Sequence, residues 1–218
     1  MTRDVQHLLR RLDVPRFRYR DFHVSKRERP APHRALTLAV TAVARGAGRT
    51  LIAANLADAL GHKRLRVSVF SLDPESARPP PGRYAAVAFG AAPERRSIDV
   101  ALLDLPLQSS AAPLADADEV VVVVRPGENI EVLEAALARL RPGWRRAPAR
   151  YLVNQFDAVV AAHREELRSL RGRLGSRLLE PPVHFERGAE GLFPRESQAA
   201  ADIAAIARTL LPELADAD

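Results

Sequence analysis

The chain has 218 residues, a formal charge of +6, 47% apolar residues and no cysteine. That length fits one ordinary domain with room for a terminal arm, and the apolar fraction suffices for a sizeable core. No apolar run nears the roughly 20 residues that cross a bilayer, and the basic N-terminus lacks the apolar segment of a secretory signal. The cysteine-free composition fits the cytoplasm. Six scattered histidines offer no metal site made by side chains alone. Lys26 and Lys63 are the only lysines. An arginine-dominated charge beside abundant alanine reads as the drift of a GC-rich genome, which weakens the charge as a sign of nucleic-acid binding.

In chain order, residues 1–34 form a separate arm. Apolar residues at helical spacing, including Leu8 and Leu9, predict a short amphipathic helix over 5–12, stopped at Pro15. Phe17, Tyr19 and Phe22 then alternate with charges, as in a docking strand or extended peptide, and 26–34 is a charged, proline-containing linker. The arm reads either as a partner surface or as a tail on its own domain. From residue 35 strands and helices alternate. Strands are expected at 36–40, 66–70, 99–103, 119–124 and 151–153, with a last short one near 182–185. Helices are expected at 50–60, 130–140, 159–174 and 196–211. Residues 75–97 read as loop with at most one short helix. The fold class is therefore a three-layer α/β/α domain over 35–218, with a mostly parallel sheet and a short N-terminal extension. The unbroken valine run at 120–124 suits a strand covered on both faces.

The segment from Ala35 to Leu56 has the layout of a phosphate-binding loop: an apolar strand, a turn through Arg45, Gly46, Ala47, Gly48 and Arg49, then a helix opened by Thr50. Backbone N–H groups and the positive helix end can hold a phosphate chain, and Thr50 is placed to reach magnesium. Val43 stands where the full pattern has its first glycine, and Arg49 where it has lysine. The plain alternative is an alanine- and glycine-rich turn without a ligand. Ligands of open parallel sheets bind beyond the carboxyl ends of the strands, where Asp73, Asp104 and Asn154 fall. Asp104 could hold magnesium through water or simply end a strand before Pro106. Asp73 could orient an attacking water or form an Asp-Pro turn. Asn154 could read an adenine edge or be a satisfied turn residue.

Taken together, TAVARGAGRTLIAANLADAL, RVSVFSLDPES, DVALLDLP, ADEVVVVVRP and YLVNQFD resemble the MinD/ParA group of P-loop ATPases over about residues 35–211. Gly46, Gly48, Thr50, Asp73, Asp104 and Asn154 match that group's pattern. Ala44 occupies the position of its signature lysine, Arg49 that of its loop lysine, and Ser71 that of the first carboxylate of its Asp-x-Asp pair. An arginine's planar head does not replace a lysine's point charge, so weak or absent hydrolysis is expected. Within the group the resemblance is strongest to the BcsQ (YhjQ) cellulose-biosynthesis accessory family, and the arm looks like its small partner BcsR.

The resemblance implies ATP or ADP with Mg2+ as cofactor, homodimers, and a factor that helps assemble, localise or stabilise the membrane cellulose synthase. It implies a cytoplasmic protein, held at the inner membrane through protein partners. Leu8, Leu9, Phe17, Tyr19 and Phe22 would be the partner-binding residues. The acidic, proline-interrupted end at 210–218 argues against direct lipid binding. Two other readings stay open: a working MinD/ParA-type ATPase that positions a complex, flagellum or plasmid, and a DNA-associated partition protein. Outside the arm, no basic cluster interleaved with aromatics favours the last.

Overall fold

A computed structural model describes residues 35–42, 44–71, 81–87, 98–106, 117–140, 148–188 and 191–211. The arm, with Leu8, Leu9, Phe17, Tyr19 and Phe22, and the candidate Asp73 lie outside these residues. The strands are β1 Leu36–Ala42, β2 Val67–Ser71, β3 Ala85–Val87, β4 Val100–Pro106, β5 Glu119–Val124 and β6 Ala149–Val153. The helices are α1 Arg49–His62, α2 Ile130–Leu140, α3 Ala161–Leu174 and α4 Gln198–Leu210.

The six strands form one sheet in the order β3-β2-β4-β1-β5-β6, and every pairing is parallel. β1 is thus flanked by β4 and β5, with Val40 beside both Asp104 and Val121. Parallel strands need crossover connections, and among the described residues α1 joins β1 to β2 and α2 joins β5 to β6. β5 shows why its valines are unbroken. Val121 and Val123 join the core under α1 and α4, whereas Val120, Val122 and Val124 join the core under α3. All five are fully buried, as a central parallel strand requires.

The helices place their apolar stripes accordingly. In α3, Leu167, Leu170 and Leu174 recur at helical spacing and are buried among arginines and glutamates that face water. In α1, Ala53, Ala54 and Ala57 are fully buried beside Ile52 and Leu56, so small side chains let this helix lie close to the sheet. Buried polar side chains tie the periphery to these helices. Asn55 accepts from Phe193 N at 2.8 Å, and Asp202 accepts from His184 N, His184 Nδ1 and Gln198 Nε2 at 3.0, 2.7 and 2.8 Å.

The set of strands differs from the sequence expectation at two places. A strand, β3, lies at Ala85–Val87 inside the stretch read as loop, pairing in parallel with Ser68–Phe70 of β2. Conversely, the strand expected near 182–185 is only a single bridge between Phe156 and His184.

Candidate phosphate-loop site

β1 carries the chain to the centre of the sheet's carboxyl edge, and residues 44–48 turn it into α1. Gly46 and Gly48 have φ of 76° and 85°. Gly48 is the N-cap of α1 in the left-handed region, and its carbonyl accepts the first helical bond, from Ile52 N at 2.8 Å. No side chain caps this helix start and no acidic residue occupies its first turn. The amide end of the helix dipole is therefore left toward the loop, the arrangement that favours an anion.

Asp104 lies inside β4, paired with Val40 of β1 and Ser71 of β2, because that strand continues to Pro106 instead of stopping at residue 103. Its side chain has no exposure to solvent. Two residues at the start of α1 meet it there. Thr50 Oγ1 donates to one carboxylate oxygen at 2.8 Å, and Arg49 Nε donates to the other in an ion pair. The Arg49 side chain is 14% exposed. Two adjacent candidates and a third distant in sequence thus form one cluster, held by charge-assisted bonds in a poorly hydrated place.

From the other side, β6 supports the loop through two amides. Asn154 Nδ2 donates to Ala47 O and Gln155 Nε2 donates to Gly46 O, both at 2.8 Å. Asn154 is buried at 2% exposure, its backbone N–H bonded to Val124 O. Gln155 adopts φ of 59°, a rare conformation for a residue with a side chain, and this aims its amide back at the loop. Two carbonyls that would repel an anion are thereby bonded elsewhere. Arg45 is exposed on the turn and Ala47 is buried beneath it. Gln155 was not among the residues that the motif indicates, since its role arises only when β6 is brought beside β5, one strand away from β1.

The residues present suit a phosphate group: a glycine turn, an uncapped helix start and tied-back carbonyls. For magnesium, Thr50 and Asp104 supply the hard oxygen donors such an ion takes. The guanidinium of Arg49 already shares that carboxylate, so a second cation would meet a competitor.

No family model and no curated protein matches this sequence. Solved structures do share its architecture. A plasmid partition protein from Borrelia burgdorferi B31 bound to AMPPNP superposes with a TM-score of 0.67 at 11% identity, over 83% of this chain and 100% of that one. A cobyrinic acid a,c-diamide synthase from Mycobacterium smegmatis, with bound ATP analog and magnesium, gives 0.65 at 16% identity, over 84% of this chain and 97% of that one. The MinD cell division protein of Aquifex aeolicus gives 0.62 at 17% identity, over 82% and 98%. The chain therefore has the α/β/α fold of the MinD/ParA-type P-loop NTPases. None of the described helices is long and apolar enough to cross a membrane.

Proposed function

We propose that this chain is a nucleotide-binding accessory factor of bacterial cellulose biosynthesis, with hydrolysis weak or lost. In this reading it binds ATP or ADP with Mg2+, forms a homodimer, and assists assembly, localisation or stability of the membrane cellulose synthase. The observation that carries the weak-hydrolysis part is the cluster of Arg49, Thr50 and Asp104. A loop lysine would present a compact charge to the terminal phosphates. Arg49 instead delivers its charge to Asp104, the carboxylate that would also hold magnesium through water, so the metal would share it with a guanidinium.

Residues 45–50 would cradle the phosphates, Thr50 and Asp104 would hold the metal, and Asn154 would position the loop and face the base. When bound, magnesium neutralises phosphate charge. Asp73 is the candidate for orienting an attacking water. The arm, through Leu8, Leu9, Phe17, Tyr19 and Phe22, would contact synthase subunits and hold the factor at the inner membrane without inserting into it. Support for nucleotide binding comes from neighbours of the same fold solved with an ATP analog and magnesium, or with AMPPNP. The cellulose role is supported by the sequence resemblance alone.

The partition and cell-division proteins among those neighbours favour a second reading, an active ATPase that positions a complex, flagellum or DNA. Steady-state ATP hydrolysis separates the two. The first reading expects turnover far below that of a two-lysine relative assayed alongside, together with co-purification of cellulose synthase with the tagged full chain. Comparable turnover without the synthase would establish the second.

A further inference from the structure

β5 ends in Arg125-Pro126-Gly127-Glu128, a turn that the loop motif does not include. Arg125 Nε donates to Glu128 Oε1 at 3.0 Å, and Glu128 N donates back to Arg125 O at 3.2 Å. The turn is also fixed to α3, where Glu166 Oε2 accepts from Gly127 N at 2.5 Å. The Glu128 side chain is 14% exposed and that of Arg125 is 38% exposed. The carboxylate is thus a sheltered anchor, and the guanidinium is an open head held in one orientation. That head stands against the phosphate loop: a first side-chain carbon at Gly46 would lie 3.7 Å from Arg125 Nη1.

A guanidinium gripped through Nε still has the four N–H donors of its two Nη groups to offer, in a planar fork that matches phosphate oxygens. Of the motif's two arginines, Arg49 is committed to Asp104 and Arg45 is exposed on the turn. Resting on the nucleotide-binding reading above, we propose that Arg125 is a phosphate-binding residue, reaching across Gly46 to the polyphosphate of a nucleoside triphosphate. Glu128 is its positioning residue. The site then draws phosphate-facing charge from the end of β5 as well as from the motif.

The test is calorimetric titration of the full chain with MgATP, comparing wild type, Arg125→Gln, Arg125→Ala and the control Arg168→Ala. Arg168 lies on the outer face of α3 with its side chain 64% exposed, so its loss changes net charge equally without touching the loop. Losing one charge-assisted hydrogen bond should weaken binding about tenfold or more. Both Arg125 variants should show this, and Arg168→Ala should bind as wild type does. Glutamine keeps most of the stem, so an equal loss in both variants with unchanged melting of the ligand-free protein separates contact from folding. Wild-type affinity in both Arg125 variants would overturn this inference alone. No binding by the wild type would overturn it together with the nucleotide reading.

Discussion

Asp104→Asn is expected to destabilise the protein by about 3 kcal/mol, because it removes one partner of a buried ion pair and leaves the other charge in place. Arg49 would then face an amide that can donate as readily as accept, in a site where the carboxylate had no exposure to water. The asparagine oxygen can still accept from Thr50, so the hydroxyl bond is not the main loss. The figure sits at the low end for such pairs because Arg49 retains 14% exposure. For a chain of this size the melting temperature should fall by about 6–12 °C. Adding Arg49→Met should recover part of the loss, since the orphaned charge leaves with it. A shift of less than about 2 °C for the single variant would mean that the pair contributes nothing to the fold.

Gly48→Ala should cost about 2–4 kcal/mol, from a left-handed backbone and a steric collision together. At φ of 85° an L side chain is strained whatever space surrounds it. Here there is no space, since the added carbon would run into Asn154 Nδ2, the donor that holds Ala47 O. Either the loop or the buried amide must move, and each movement breaks that bond. Gly127→Ala provides the comparison: φ is 90° there, with nothing within 4 Å of the added carbon. It should cost only about 1 kcal/mol, the conformational share. Equal losses at the two glycines, read from urea unfolding, would remove the steric part of the account.

Much of the fold was legible because its signals are local. The valine run of β5, the glycines at 46 and 48, and the alternation of strands and helices each fix an element within a few residues. β3 was missed because three residues carry no periodicity, and because Ala85–Val87 sits at the sheet edge in a stretch rich in proline and arginine. The strand expected at 99–103 stops short of Asp104 and Pro106, yet β4 runs through both and proline closes it as its last residue. The site was legible as a set of residue types at strand ends, but its wiring was not. Arg49 and Asp104 are 55 positions apart, and Gln155 and Gly46 are 109 apart. Such pairs follow from the strand order, which places β1 between β4 and β5 and brings β6 within reach. Arg125 belongs to the same class, since no spacing rule links it to Gly46.

The measurement that bears most directly on the account is calorimetry of the purified full chain with ATP and magnesium, repeated on Thr50→Ala. The account predicts measurable binding by the wild type. It also predicts a clear loss in the variant, which lacks the hydroxyl that bonds Asp104 beside Arg49 at the start of α1. Absence of binding by the wild type, or equal binding by both proteins, would contradict a live phosphate site at residues 45–50.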